Sequence, residues 1–482
     1  MDWKPDRYGE LPLQEQIVRY FKEGILRGEW TVGARLPSQR SLARLWQVNR
    51  STVAQAMAEL AALGLVEGQT GGGTRVVNES WSLLTALPTD WVRVVGSGRH
   101  QPNLPVIQTI NRMEADPGII RLGTGELAPD LLPEREMGRL LQESGKRPVS
   151  LGYEEPKGSA ALRHRIAERL RERGIHVTAD SVLVVSGALQ GLHLIAAGLM
   201  RPGSTVLTES PSYLHSVQVF QSAGIRLEGV PMDEAGLRSE LLERYRKQYQ
   251  AAMLYTNPAF HNPTGKVMSG KRRKEVLQAC QELRLPIIED DVYGELWLDE
   301  PPPPPPIKSM DSHGDVLYLG SLSKSVSPGL RIGWVVGPRT VIDRLADIKM
   351  QIDYGASSLS QWAALQWLEG GRHERHLEQL RTQLRQRRAV TAAALDREFG
   401  GLARWTIPGG GFYIWLEFNR SLPMKLLFDA ALREGVLLNP GTVYGAEEKS
   451  CLRISYSYAP PEQLSRAIEI LARLVRRLME QP

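Results

Sequence analysis

Lys324 stands in the stretch GSLSKSVSPGLRIGW, residues 320 to 334, just after the strand-like run VLYLG. Serines flank it at 321 and 323, and Arg331 follows in the same loop. A lysine amine in a polar, partly desolvated loop is a group that can form an imine with an aldehyde. Ser321, Ser323 and Arg331 are donors of the kind a phosphate takes. An aldehyde that also carries a phosphate points to pyridoxal 5'-phosphate. Holding that group makes further demands: a carboxylate for the pyridine nitrogen, donors for the phosphate, a flat side chain for the ring and donors for the ring hydroxyl.

The chain offers each of these. Asp290 closes the apolar run LPIIEDD, and a carboxylate at a strand end can keep the ring nitrogen protonated so that the ring withdraws electrons. Tyr293, three residues later, and Asn262, in the turn HNPTG, can both meet the ring hydroxyl. SGALQGL opens a helix directly after a strand, so the N–H groups of Gly187, Ala188 and Leu189 can cradle a phosphate with the helix dipole behind them. Tyr213, in SPSYLH, offers a ring to stack on the pyridine. Taken singly, these residues have ordinary readings: Asp290 as a helix cap, NPTG as a plain turn, SGALQG as a weak glycine signal. Their joint occurrence in one order carries the reading.

Positioning such a set needs strands whose ends converge. Apolar runs SVLVVSG, STVLTE, AAMLYT, LPIIEDD and VLYLGS alternate with helical stretches such as ALQGLHLIAAGLM and RRKEVLQACQELR. Runs apolar on both faces predict a mainly parallel central sheet covered by helices, an α/β domain. From about residue 370 a long charged helix precedes the strands GGGFYIWLEF and CLRISYSY, which predicts a smaller C-terminal α+β lobe. The proline run at 301–306 reads as a surface connection.

The first seventy-odd residues have another character. Leu13, Ile17, Tyr20, Phe21 and Ile25 recur at helical spacing, and Ser38 precedes the helical QRSLARLW. After the short turn QVN, RSTVAQAMAELAALG continues at helical period, and LVEGQTGGGTRVV predicts a small hairpin. Between Glu29 and Glu59 the chain has Arg35, Arg40, Arg44 and Arg50 and no acidic residue. In a helix-turn-helix the second helix enters the major groove by its N-terminal end. Here that end is Asn49, Arg50, Ser51 and Thr52. Arg50 suits a guanine edge or a phosphate, Ser51 and Thr52 suit phosphates, and Arg75 on the wing suits the minor groove.

This region resembles the GntR-type winged-helix domain, especially through GARLPSQRSLARLWQVNRSTVAQAMAELAALGLVEGQTGGGTRV. The resemblance implies DNA contacts by Arg40, Arg50, Ser51 and Thr52, with Gly72 at the wing tip. Residues from about 115 to 480 resemble fold type I, aspartate-aminotransferase-like proteins. That resemblance implies Lys324 as the Schiff-base lysine, Asp290 as the pyridinium partner, and Asn262 and Tyr293 on the ring hydroxyl. It also implies that Tyr153, in LGYEEPKG, reaches the phosphate of a partner subunit and that Arg453, in CLRISYS, forks onto a substrate carboxylate. The two halves together resemble the MocR/GabR regulators over nearly the whole length. The expected architecture is a winged helix-turn-helix at 1–77, a linker at 78–112 and an aminotransferase-like effector domain at 113–482, in a head-to-tail homodimer.

The bulk properties fit. At 482 residues, 42% hydrophobic and 23% charged, the chain has the composition of a soluble multidomain protein, and no apolar run is long enough to span a bilayer. The N-terminus lacks a secretory pattern, so a cytoplasmic protein with no membrane partner is expected. Two cysteines far apart argue against a disulfide framework and a cysteine-built metal site. Two readings stand: a DNA-binding transcriptional regulator that senses an amino compound through the Lys324 imine, and an aminotransferase with an accessory DNA-binding domain. A DNA reader has no evident use in a metabolic enzyme, whereas an aminotransferase fold has one as a sensor, which favours the regulator. Arg453 suggests an effector with a carboxylate, leaving 4-aminobutyrate, α-amino acids and dipeptides open, with pyridoxal phosphate itself. Two DNA domains per dimer predict a double-stranded operator with two half-sites.

Overall fold

The structure is a computed structural model of the chain that describes residues 3–26, 29–69, 73–77, 103–144 and 152–480, except 8 and 10, together with residue 100. The wing-tip Gly72 and most of the stretch read as a linker lie outside the described residues. Two compact units divide between Gly98 and Arg99.

In the N-terminal unit, helices α1 (Leu13–Leu26), α2 (Gln39–Trp46) and α3 (Arg50–Ala62) precede an antiparallel hairpin, β1 (Val66–Gln69) and β2 (Gly73–Val76). The Ser38 hydroxyl accepts from the Ser41 N–H at 3.1 Å and so satisfies one of the donors that a helix start leaves open. Gln47, with φ of 56°, turns the chain out of α2, and extended Asn49 starts α3. Ile17, Phe21, Leu42, Val53 and Leu60 are fully buried together with Trp46, so the helical spacing in the sequence becomes one core. Residues 34–36 pair with β2 through an isolated bridge at Arg35, with Leu36 N donating to Thr74 O at 2.9 Å and Val76 N to Ala34 O at 3.0 Å. That pairing was not expected from the sequence.

In the large unit a short strand, β3 (Ile120–Arg121), precedes an eight-stranded sheet. Its strands are β4 (Val182–Val185), β5 (Thr205–Ser210), β6 (Arg226–Asp233), β7 (Gly236–Leu237), β8 (Met253–Thr256), β9 (Ile287–Asp290), β10 (Val316–Ser321) and β11 (Gly333–Val336). Their spatial order is β4-β11-β10-β9-β8-β5-β6-β7. The central pairs are parallel, β11 runs antiparallel to both its neighbours, and β7 folds back on β6. Side chains alternate between faces: Leu183 and Val185 pack into one core, Val182 and Val184 into another. Both faces are covered by helices, the condition under which apolar residues fill every position of a strand.

The smaller lobe has an antiparallel sheet of Ala403–Trp405, Tyr413–Phe418 and Cys451–Ser455, backed by the long helices Arg372–Phe399 and Pro461–Met479. Ile120–Arg121 pairs with Val436–Leu437, so an early segment of the large unit is stitched to this lobe. Helix Pro105–Met113 buries Ile107 and Ile110, one against Val443 and Tyr444, the other in the core of the smaller lobe. Residues 105–112, expected to be linker, are therefore a packed part of the large unit. Their apolar pair, three residues apart, was too short a pattern to stand out among the prolines before it. At the proline run, Pro305 O accepts from the buried Arg273 side chain at 3.1 Å and Pro306 is buried. Among the described residues, no helix is long and apolar enough to cross a membrane.

Candidate functional site

The carboxyl ends of the parallel strands converge, which is where open α/β sheets place their ligands. The turn after β4 brings Gly187, the one after β5 brings Tyr213, the loop after β8 brings Asn257 and Asn262, the end of β9 brings Asp290, and the loop after β10 brings Lys324. Together with Ala188, Leu189, Tyr255, Tyr293, Ser321, Ser323 and Arg331 they line one cavity of about 190 Å³.

Asp290 is buried at its centre. Its Oδ2 accepts from the Tyr255 hydroxyl at 2.7 Å, while Oδ1 is buried and has no partner. Burial is the largest influence on its carboxyl and pushes the pKa up from 3.8 to about 6; the Tyr255 hydrogen bond opposes that shift. Asn257 fixes the floor: its side-chain amide donates to Asp290 O at 2.6 Å and its Oδ1 accepts from Asn262 N at 2.8 Å. Glu209, fully buried at the end of β5, holds Asn257 N at 3.1 Å and is itself raised to about 7, chiefly by burial.

At one end of the cavity the start of helix Ala188–Leu199 presents its N–H groups. Gly187 has φ of 83°, and a Cβ there would stand 2.6 Å from Arg331 Nη2, so both conformation and space demand glycine. Arg331, itself left-handed at φ of 53°, donates to Ser186 O at 2.6 Å. Ser321 Oγ contacts Ser323 Oγ at 3.0 Å. This end gathers hydroxyls, N–H groups and a guanidinium, a donor set for an anion.

At the other end, Lys324 Nζ donates to Gly125 O at 2.6 Å and lies 6.0 Å from the centre of the Tyr293 ring. Tyr293 was expected to serve a ring hydroxyl; here its own hydroxyl is 2.8 Å from that of Tyr413. Arg453 does not line the cavity but stands behind it, giving Nη1 to Asn262 Oδ1 at 2.7 Å and Nη2 to Gly123 O at 2.6 Å. The rings of Tyr413 and Tyr444 flank its guanidinium, their centres 4.1 and 4.9 Å from the central carbon. Tyr153 is outside the cavity and 83% exposed, its ring beside that of Tyr354.

In the N-terminal unit, Arg40, Arg50, Ser51 and Arg75 are exposed and Thr52 is half-buried. The Asn49 side chain makes no cap hydrogen bond; its carbonyl accepts from Thr52 N at 3.1 Å, so the start of α3 has no side-chain cap. Arg35, ahead of α2, pairs with Arg75 of the hairpin in an isolated antiparallel bridge.

Two family models match the chain: the gntR family of bacterial regulatory proteins over residues 13–76, and aminotransferase class I and II over residues 117–471. The chain is 52% identical over 99% of its length, and 99% of the relative's, to the uncharacterized HTH-type transcriptional regulator YisV of Bacillus subtilis. It belongs to the MocR-type transcriptional regulators. The regulator is also 32% identical, over 90% of its length and 98% of the relative's, to the HTH-type transcriptional regulator NorG of Staphylococcus aureus. Its large unit resembles Pyrococcus horikoshii kynurenine aminotransferase, with a TM-score of 0.74 and 29% identity over 78% of this chain and 95% of that one. It resembles equally LysN, the α-aminoadipate aminotransferase of Thermus thermophilus, with a TM-score of 0.74 and 31% identity over 81% and 99%. The former was solved with PMP and the latter with N-(5'-phosphopyridoxyl)-L-leucine.

Several residues of the regulator's site escaped sequence reading. Tyr255 sits inside the apolar strand β8, where an aromatic residue reads as core. Asn257 lies five positions before Asn262 and gave a signal only as an amide just past a strand end. Gly125, Tyr413 and Tyr444 come from segments remote in sequence, and nothing local marks them.

Proposed function

We propose that this DNA-binding regulator holds pyridoxal 5'-phosphate on Lys324 and uses it to sense an amino compound that carries a carboxylate. The observation that carries the reading is Asp290 Oδ1: a buried carboxylate oxygen without a partner, in a cavity that also holds Lys324. A protonated ring nitrogen would supply the missing donor. The residues fit the rest of the group: Gly187, Ala188, Leu189, Ser321, Ser323 and Arg331 for the phosphate, Tyr213 for the ring face, Asn262 and Tyr293 for the ring hydroxyl. Asn262 gives its Oδ1 to Arg453, which leaves its NH₂ to donate. The cofactor supplies an electrophilic carbon that exchanges amines. Lys324 is the residue that would hold that carbon and, as a free amine, would accept the proton an incoming amine releases. Arg453 suits the carboxylate of the same compound.

Tyr153, exposed in its own subunit, suits the phosphate of a partner in a head-to-tail homodimer. Arg40, Arg50, Ser51, Thr52, Arg75 and the wing tip at Gly72 are the proposed DNA contacts, two such sets meeting two half-sites. A ligand changes DNA binding only by favouring one state of the dimer over another.

The test is spectroscopic. The purified protein is expected to absorb near the visible edge, to be trapped by borohydride on Lys324, and to change both absorbance and operator affinity with one member of an amino-acid panel. A colourless protein that binds DNA would remove the cofactor from the account. Sustained transamination with no effect on DNA would favour the enzyme, a reading supported by the complete set of Lys324, Asp290, Asn262 and Arg453.

A further inference from the structure

Ser186, the residue before the cradle glycine, is held at both polar groups of its backbone. Its carbonyl accepts from Arg331 Nη2 at 2.6 Å, and its N–H donates to Gln190 Oε1 at 2.7 Å. The Gln190 amide in turn gives Nε2 to Asp353 Oδ2. Asp353 closes helix Arg339–Ile352: its own N–H bonds Lys349 O at 3.0 Å, and its Oδ1 accepts from Gly355 N at 3.0 Å. Lys349 Nζ stands 3.3 Å from the same Oδ1, on a side chain that is fully buried. Helix Arg339–Ile352 shares a core with helix Ala188–Leu199 and lies so close that a Cβ on Gly198 would overlap Ile348 Cδ1. On the outer side of the cradle, Ser186, Leu189, Gln190 and Arg331 line a second cavity of about 660 Å³, so packing does not fix it from there.

We infer that Gln190 and Asp353 are positioning residues that hold Ser186, Gly187 and Arg331 in the geometry a cofactor's phosphate needs. The inference rests on the reading of this cavity as the pyridoxal phosphate site, to which the partnerless Asp290 Oδ1 points independently. A helix start offers its open N–H groups to an anion only along the directions its first residues fix. Gly187, at φ of 83°, sets those directions and has no side chain to pin it. The pin therefore comes through Ser186. Gln190 occupies the third helical position, from which a side chain reaches back to the chain before the helix. Alone it would swing with its own helix; the bond to Asp353 ties it to a second one. Lys349 pairs with Asp353, and an ionised acceptor makes the stronger bond to the Gln190 amide. Arg331 is tied to Ser186 O, so a shift of Ser186 also moves the guanidinium. Gln190, Asp353 and Lys349 do not line the cofactor cavity and act on it only through Ser186. Their effect is confined to the phosphate end, because Tyr213, Asp290 and Lys324 are carried by the ends of β5, β9 and β10.

The experiment compares pyridoxal phosphate with pyridoxal, which has the same ring and aldehyde and no phosphate, on the full-length protein freed of cofactor. Imine absorbance, with borohydride trapping on Lys324, reports the affinity of each. Gln190→Met removes both side-chain hydrogen bonds at constant length. Asp353→Leu alone strands the Lys349 charge, so it is combined with Lys349→Met. A hydrogen bond to a charged group, lost from the cradle, weakens binding about 10- to 100-fold. Gln190→Met and the combined Asp353→Leu, Lys349→Met variant are expected to lose that much affinity for pyridoxal phosphate and none for pyridoxal. Asp353→Asn combined with Lys349→Met returns an acceptor to the Gln190 amide and is expected to recover most of the loss. Folded variants that bind both compounds as the wild type does, or that weaken both equally, overturn the inference alone: the first outcome makes the brace idle, the second makes it a general support of the fold. A wild type that takes up neither compound, or that shows no preference for the phosphate, overturns the cofactor reading and the inference with it.

Discussion

Arg453 holds the side-chain amide of Asn262, Nη1 to Oδ1 at 2.7 Å, and joins two residues 191 positions apart. The proposed reader of the ligand's carboxylate is thus tied to the proposed donor to the ring hydroxyl. Arg453→Lys keeps the charge but loses the fork and the hold on Asn262. Hydrogen bonds to charged groups contribute about 1.5–3 kcal/mol, so carboxylate-bearing amines are expected to bind about 10- to 100-fold more weakly. Propylamine, without a carboxylate, is expected to lose far less. Absorbance titrations of both compounds check this.

Asp290 makes the ligand-free protein sensitive to pH. Its carboxyl is raised from 3.8 to about 6, so burial favours the protonated form. That contribution to stability is full below pH 4 and is lost as pH rises through 6. The loss is about 3 kcal/mol on the linkage relation. Asp290→Asn removes it, and the cofactor-free variant is expected to resist urea better than the cofactor-free wild type at pH 8, with the gap closing at pH 4. Pyridoxal phosphate is expected to stabilise the wild type at pH 8 and to do much less for the variant. Unfolding midpoints at the two pH values, with and without cofactor, are the measurement.

Arg50 stands exposed at the uncapped start of α3. Arg50→Ala is expected to weaken operator binding by about 1–3 kcal/mol and, if the contact is to phosphate, to flatten the salt dependence by about one unit of slope. The absorbance of the cofactor is expected to be unchanged. Anisotropy at several salt concentrations separates a phosphate contact from a base contact, since only the latter loses sequence preference.

Behind the cavity, Arg173 pairs with Asp291 at 2.7 Å, and the Asp291 side chain is 1% exposed. Tyr318 completes the set, donating to Asp291 at 3.0 Å and accepting from Arg173 at 2.9 Å. Removing one member of a buried pair strands the other charge, at about 3–5 kcal/mol. Arg173→Met is expected to lower stability by that order, and Arg173→Met combined with Asp291→Leu to recover much of it. Urea unfolding followed by tryptophan fluorescence tests both.

The sequence by itself determined the elements and most of the site's members. Helical spacing from Leu13 to Ile25, the cap at Ser38 and the turn before Arg50 are local properties, and they specified the winged helix. Apolar runs ending in Asp290 or followed by Gly187 and Lys324 specified strands whose ends carry polar groups, because a strand and its cap are set by neighbours in the chain. Only the tertiary structure decided what those groups touch. Arg453 standing behind Asn262, Tyr255 turned toward Asp290, and residues 105–112 packing on Tyr444 instead of spanning a gap all depend on segments far apart in sequence. The pairing of residues 34–36 with β2 exists only because β2 offers free carbonyls and amides there. Hydrogen-bond partners and buried contacts of that kind are fixed by which surfaces the folded core brings together, and no local periodicity records them.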